Sequence, residues 1–550
     1  MPKWFAALLV LVTVFISGCS GKGEDQNTTL AARNTPAILE DGRSVLRRGN
    51  GAEPETLDPH RAQSVTSSNI LRDLYEGLVG EAPDGRLIPG AAERWDIGPN
   101  GKVYTFHLRK NAKWSNGDPV TAEDFVYGFR RCVDPKTGSA YAEILSPILN
   151  TKAIISGEQP PSAMAVQAVD MHTLQITLKA PTPYFLGLLA HSSAYPAHRG
   201  SIEKHGDQFT QPGKHVTNGA FVLSDWVVAS HITLERNTHY WDNAKTGVDI
   251  VKYLPIDNVD SEFKRYLAGE LEMTGSIPIP RLEWAQKNLP QDYRTHPSLA
   301  VYYFGLNVGK APFKDAPELR RALSLALDRR IITEKVTRGG ELPAYAWVPP
   351  GVNNYAPQKV DYASWPREQQ IAEAKKLYAA AGYSDEKPLR VELRYNTSEG
   401  HKKIATAVAS MWKTALGVEV VLINEEWKVF LANVQTKKVT QVYRSGWVGD
   451  YNDANTFLEL MHSRFGLNGT GYSNPDYDAL IDAASLQSDV TRRRELMQQA
   501  ESILLADHPV IPLYHYVGKR LVKPYVQGFT GNVMGHYHSK YISIKSESKL

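Results

Sequence analysis

Residues 102–109 read KVYTFHLR, with Tyr104, Phe106 and Leu108 alternating with more polar neighbours. A period of two puts every second side chain on the same face of an extended chain, which predicts a strand with one buried face. HTLQITLK (172–179) repeats the pattern through Leu174, Ile176 and Leu178, and HITLERN (231–237) predicts another strand. Between them, TAEDFVYGFRRCVD (121–134) changes period. Phe125, Phe129 and Cys132 recur at helical spacing, and Thr121 followed by Asp124 is a helix-start signal. The second half alternates. ELRRALSLALDRRIITEKV (318–336) predicts one helix through Leu319, Ala322, Leu323, Ala326 and Leu327. LRVELRYN (389–396) predicts a strand, HKKIATAVASMWKTAL (401–416) a helix closed by Gly417, and VEVVLI (418–423) a strand. EEWKVFLANVQ (425–435) predicts a helix and TQVYRSG (440–446) a strand. Such alternation implies right-handed βαβ units, an α/β class and a largely parallel sheet. Ligands of such sheets bind beyond the carboxyl ends of the strands, and Asp450 falls just past one.

At 550 residues the chain exceeds one ordinary core, so two or three domains are expected. Lys+Arg 62 against Asp+Glu 59 leaves no basic stripe of the kind a nucleic-acid binder needs. The 27 Tyr and 11 Trp suit both a large core and the walls of a ligand site. The N-terminus adds a compartment. Trp4–Ile16 is apolar apart from Thr13, too short to span a membrane comfortably and the right length for a secretory signal. It ends in Ile16-Ser17-Gly18-Cys19, which resembles a bacterial lipobox whose cysteine carries the lipid. Residues 1–19 are therefore expected to be a lipoprotein signal and 20–44 a flexible tether, with Cys19 holding the protein to a membrane of the cell envelope. The only other cysteine, Cys132, then has no disulfide partner and lies on the apolar face of its helix as an inert thiol.

A search for catalytic constellations finds no GxSxG elbow, HExxH, GxxxxGK[ST] or strand-borne GxGxxG. His536 and His538 in GHYHSK have metal-ligand chemistry but no third ligand in view, and are expected to be exposed. A two-carboxylate hydrolase site stays open, with binding ahead of catalysis. One stretch stands out: RSGWVGDYNDANTF (444–457), where the lone acid Asp450 sits among glycines and aromatics. A carboxylate there needs a cation, either an arginine of the fold or the charged end of a ligand.

Several stretches, taken in order, carry a resemblance: RGNGAEPETLDPH (48–60), LRDLYEGLV (71–79), PGAAERWD (89–96), YTFHLRKNAKWSNGDPVTAEDFVYGFRR (104–131), TNGAFVLSDWVV (217–228), LERNTHYWDN (234–243), FGLNVGKAPFKD (304–315), RRALSLALDRRII (320–332) and RSGWVGDYNDANTF. Together they resemble the oligopeptide-binding proteins of bacterial ABC importers, within the family-5 extracellular solute-binding proteins. The resemblance implies a bilobal periplasmic-binding-protein clamshell with an additional inserted domain. The first lobe would be 45–75, 200–300 and 517–550, the inserted domain 76–199, and the second lobe 301–516, joined to the first by hinge strands. It implies a monomeric periplasmic binder without catalytic residues, cofactor or metal, which engulfs short peptides and delivers them to an ABC permease and ATPase complex. Asp450 would pair with the peptide's α-ammonium. Trp447, Gly446 and Val448 match the strip that bonds the peptide main chain, and Val65 matches a strip on the first lobe. Tyr141, Trp427 and Tyr303 match pocket walls, while His401 and Arg444 match positions that read the carboxylate end. Departures are visible as well. A disulfide of some members would fall at Ala300 and Val448; Gln63 and Gly305 stand where some relatives have an acid, and Val434 where some have an arginine. The alternatives are a murein-peptide carrier of the same family and, from another class, an envelope peptide hydrolase.

Overall fold

The computed structural model describes residues 42–545; Cys19, the lipobox and most of the tether lie outside the described residues. Two bodies of secondary structure are joined by a pair of long strands. In the first, a four-stranded sheet runs in the order Val45–Gly49, Ile250–Leu254, His231–Arg236, Phe221–Val227, the first pair parallel and the others antiparallel. A separate antiparallel sheet of Ala92–Ile97, Val103–Leu108, Thr173–Thr177 and Val166–Asp170 forms the inserted domain. Its alternation holds: Tyr104, Phe106, Leu108, Leu174, Ile176 and Leu178 are all buried. Helix Ala122–Val133 covers that sheet, opened by the Thr121–Asp124 capping box, with Phe125, Phe129 and Cys132 inward. Burial pushes the Cys132 thiol up to about 12, which removes it from thiolate chemistry.

The second lobe is built on a six-stranded sheet in the order Leu342–Pro343, Val510–Leu521, Tyr293–Leu306, Val442–Val448, Arg390–Asn396, Glu419–Glu425. It is mixed, not largely parallel. Only the pairs made by Arg390–Asn396 are parallel; the other three are antiparallel. The reason is the joining strands. The chain runs out along Tyr293–Leu306 and back along Val510–Leu521, so these two must oppose one another. Their outer ends meet the first lobe, where Leu521 packs with Leu254, Phe263 and Tyr266 in a small separate core. The register slips between Pro297 and Val301, where the strands leave one body for the other.

The predicted helix over 318–336 is also interrupted. It runs Pro317–Leu325, breaks, and resumes at Arg329. Asp328 accepts hydrogen bonds from the N–H groups of Arg330 and Ile331, competing for donors that a continuous helix would use. Buried Arg329 takes the Ser324 carbonyl (3.2 Å) and hydroxyl (3.0 Å) and the Pro512 carbonyl (2.8 Å). His536 and His538 are not exposed, as their place near the chain end had implied. Their side chains are 10% and 9% accessible and share the buried carboxylate of Glu81, at 2.8 and 3.5 Å. That acid is 455 residues away, beyond the reach of any local pattern. Among the described residues no helix is long and apolar enough to cross a membrane, and no group of three side chains is placed to hold a metal.

Candidate ligand-binding site

Strand Val442–Val448 brings RSGWV to the gap between the lobes. On one side it pairs with Tyr293–Leu306 along its whole length, from Leu306↔Val442 to Ala300↔Val448. On the other side Arg390–Asn396 reaches only Val442 and Tyr443. From Arg444 to Val448 one edge therefore has no strand partner. Antiparallel alternation identifies the groups at that edge. The Gly449 N–H donates to the Leu299 carbonyl (2.8 Å), so Gly449, Trp447 and Ser445 turn their main chain toward the paired neighbour. Gly446 and Val448 turn theirs to the open edge, which begins just after the pairing of Tyr443 with Arg394. At Gly446 the backbone comes close to a neighbour: a Cβ there would sit 2.9 Å from the Tyr516 hydroxyl, which would have to shift to admit it. Ala300 and Val448 stand directly opposite, the arrangement a cross-strand disulfide needs, but here two apolar side chains meet.

Just past the strand, Asp450 answers the question its sequence posed. Its side chain is 11% accessible, and no lysine or arginine of the described residues lies within ion-pair distance of it. Its N–H donates to the Thr456 hydroxyl (3.0 Å), which donates toward Oδ2 (3.4 Å). His191 Nε2 lies 3.6 Å from Oδ1. Burial pushes the carboxyl up to about 7, opposed by the Thr456 hydroxyl and the charge of Arg72. His191 is held down to about 3, first by burial and then by Arg72, so it is neutral. Nearby Glu459 is pushed up to about 8, first by burial; it accepts from Tyr451 and Asn455, both at 2.8 Å. The walls are aromatic. Tyr141 lies 4.7 Å from the His191 ring and 6.2 Å from Trp447, and Trp447 Nε1 donates to the Thr456 carbonyl (2.7 Å).

At the other end of the open edge, Arg444 is half-buried and its guanidinium finds neutral acceptors: Asn396 Oδ1 and the Tyr516 hydroxyl, both at 3.1 Å. It also lies 4.7 Å over the Tyr302 ring. His401 joins this group through Tyr302, whose hydroxyl is 3.3 Å from Nδ1. Burial, and then the charge of Arg444, hold His401 well below its usual range. The site thus has an acid without a fixed cation at one end and a cation without a fixed acid at the other.

The remaining expected residues are more dispersed. Val65 opens helix Val65–Leu74 on the first lobe and is 54% exposed. Trp427 opens helix Trp427–Thr436, stacks on Phe430 at 6.0 Å, and leaves its Nε1 without a protein partner. Tyr303 turns its ring into the second lobe against Trp347 (4.9 Å) and Tyr443. Sequence reasoning missed His191, Thr456, Tyr302 and Tyr516. Thr456 lies inside the quoted motif and could have been weighed as a hydroxyl partner for Asp450; His191 carries no local signal. The lobes are drawn together: Gln435 donates to Gln63 across the gap, and Lys152 pairs with Asp482 at 2.5 Å.

The chain is similar to known proteins over most of its length. Residues 86–468 match the model for bacterial extracellular solute-binding proteins, family 5 Middle. The periplasmic oligopeptide-binding protein OppA of Salmonella typhimurium is 46% identical over 492 residues, covering 89% of this chain and 90% of its own. Among solved structures, the murein tripeptide-binding protein MppA of Escherichia coli superposes with a TM-score of 0.89 at 41% identity, covering 92% of this chain and 99% of its own. An unliganded open form of MppA, also 41% identical and covering 92% and 98%, reaches only 0.65. The lobes here are thus arranged unlike those of that open form.

Proposed function

The chain belongs to the family-5 bacterial extracellular solute-binding proteins, and on that premise we propose that it captures short peptides in the envelope and delivers them to an ABC permease. The observation that carries this is the open edge Arg444–Val448, bounded by the uncompensated Asp450 carboxylate and the uncompensated Arg444 guanidinium. An extended peptide can add to such an edge as a further strand. Main-chain donors and acceptors are common to all peptides, so this pairing gives affinity without reading sequence. The α-ammonium then supplies the missing partner of Asp450, and the terminal carboxylate that of Arg444, with His401 beside it. Because the ligand touches both lobes, it favours the closed arrangement by its differential affinity for it. Binding and release then account for the function with no catalytic step.

Periplasmic oligopeptide binding is the function the family relationship supports; the finer features remain part of the proposal. These are main-chain pairing, a lipid on Cys19, a monomeric state and hand-over to a permease with its ATPases. A murein peptide is a second ligand class, favoured by the likeness to MppA, since a free amino end would satisfy Asp450 equally. Native mass spectrometry of protein purified from its own cells tests the reading. Bound masses of short peptides are expected, and murein fragments would select the second class. Turnover of a peptide mixture into smaller products, with no intact peptide retained, would overturn both.

A further inference from the structure

His191 stands at the amine end of the cleft, beside Asp450. Ser193 N–H donates to Nδ1 of His191 (3.2 Å). A ring nitrogen that accepts carries no hydrogen, so the neutral imidazole keeps its hydrogen on Nε2. That nitrogen is the one facing Asp450 Oδ1 at 3.6 Å, a few tenths of an ångström from hydrogen-bond distance. The other carboxylate oxygen faces the Thr456 hydroxyl. The tilt of Tyr141 against the imidazole, 37° between the rings, fixes the plane of the ring. We propose that His191 is a positioning residue for the amine site, presenting Nε2–H to Asp450 so that the carboxylate is held, ionised and correctly turned, for a ligand ammonium.

The chemistry distinguishes this from an internal ion pair. A lysine or arginine in the same place would neutralise Asp450 and leave nothing for a ligand. A neutral N–H and a hydroxyl each engage one oxygen and leave the negative charge uncompensated. A second proton on His191 would have to enter at Nδ1, against the Ser193 N–H, so the ring cannot itself become the cation. The other ionisable groups around the acid are Arg72 from helix Val65–Leu74, the Glu81–His536 pair, Glu459, and the hydroxyls of Tyr141 and Tyr451. His191 precedes the short turn Ser192–Ala194 on the inserted domain's side of the gap, whereas Asp450 and Thr456 belong to the second lobe. Donor and acceptor meet only when the lobes close, so closure itself completes the ammonium site.

This inference rests on the peptide reading above, and one experiment separates the two. His191→Phe keeps a ring on Tyr141 but removes the N–H; His191→Gln carries an N–H at similar reach. Trialanine and N-acetyl-trialanine are titrated into wild type and both variants by calorimetry between pH 5.5 and 8.5, with thermal melts as a check on folding. His191→Phe is expected to lose about tenfold in trialanine affinity near neutral pH, the size of one hydrogen bond to a charged group. Its acid limb should move to higher pH, His191→Gln should restore both properties, and N-acetyl-trialanine should be indifferent to either change. A wild-type pH profile and amine preference in His191→Phe would overturn the proposal. So would an Nδ1–H tautomer for His191 in the nitrogen-15 spectrum of the wild-type protein, which needs no variant to fold. If wild type itself fails to distinguish trialanine from its acetylated form, the amine reading of Asp450 fails instead.

Discussion

Tyr184 of the inserted domain lies flat on Tyr451 of the second lobe, with ring centroids 5.1 Å apart and planes 4° from parallel. The Arg493 guanidinium sits 4.7 Å from the Tyr184 ring centroid and is held in place by two 2.8 Å bonds to Asp453. This stack bridges the lobes at the residue next to Asp450 and is made by protein side chains alone, so the closed form has stabilisation that needs no ligand. An aromatic pair contributes about 0.5–1.5 kcal/mol beyond its buried area. Tyr184→Ala should therefore weaken peptide binding by roughly two- to tenfold by shifting the closing equilibrium. Small-angle scattering checks it: the variant without peptide should have a larger radius than wild type, and saturating peptide should bring both to the same value.

Acidity is the next consequence. The Asp450 carboxyl is raised, not lowered, in the closed protein, to about 7 and chiefly by burial. For a raised carboxyl, the associated stability is fully present below the unfolded value near 4 and is lost as pH rises through 7. The peptide-free closed form should thus become less favourable across roughly pH 4–7. Peptide reverses this, because its ammonium requires the ionised acid. Starting from that closed form, binding should release a proton below about pH 7, and affinity should fall about tenfold for each further unit of acid. Above about pH 8 the α-amino group itself deprotonates, giving a second limb. Calorimetry in buffers of different ionisation enthalpy measures the proton directly, and Asp450→Asn should abolish the acid limb.

Arg444 makes the corresponding prediction for the carboxylate end. Its partners are an amide, a phenol and an aromatic face, none of them anionic. Arg444→Gln should lose about 1.5–3 kcal/mol of affinity for peptides with a free carboxylate, roughly ten- to a hundredfold. C-amidated peptides should bind wild type and variant alike. Equal losses for both peptide forms would place Arg444 in the scaffold.

Much of this was legible in the chain and some was not, for physical reasons. Period-two alternation found Val103–Leu108 and Thr173–Thr177 because each has one buried face, and Gly417 marked the end of its helix by adopting the left-handed conformation. Asp450 could be singled out because an acid among glycines and aromatics is locally odd. Strand direction was not legible: alternation of helix and strand implied a parallel sheet, but whether a strand runs out or back depends on which lobe it connects. The break at Asp328 depended on a buried arginine seeking carbonyls outside its own helix. His191 was invisible because its meaning comes from a residue 259 positions away, and Glu81 with His536 from one further still.

Asp450 offers the most direct test of the central claim, that an uncompensated acid at the end of an open strand edge receives a peptide's α-ammonium. Removing one member of a buried ion pair costs about 3–5 kcal/mol, and about 1.5–3 where water partly replaces it. Asp450→Ala should accordingly weaken binding of a free-amine tripeptide by roughly ten- to a thousandfold. N-acetylation of the same peptide should weaken binding to wild type similarly. Measured as a double cycle by calorimetry, the two losses should not add, because they delete one interaction from opposite sides. The variant should melt at or above the wild-type temperature near neutral pH, since it sheds a buried acid that has no fixed partner. Additive losses, or a variant that unfolds while acetylated peptide binds wild type normally, would contradict the assignment and return Asp450 to the scaffold.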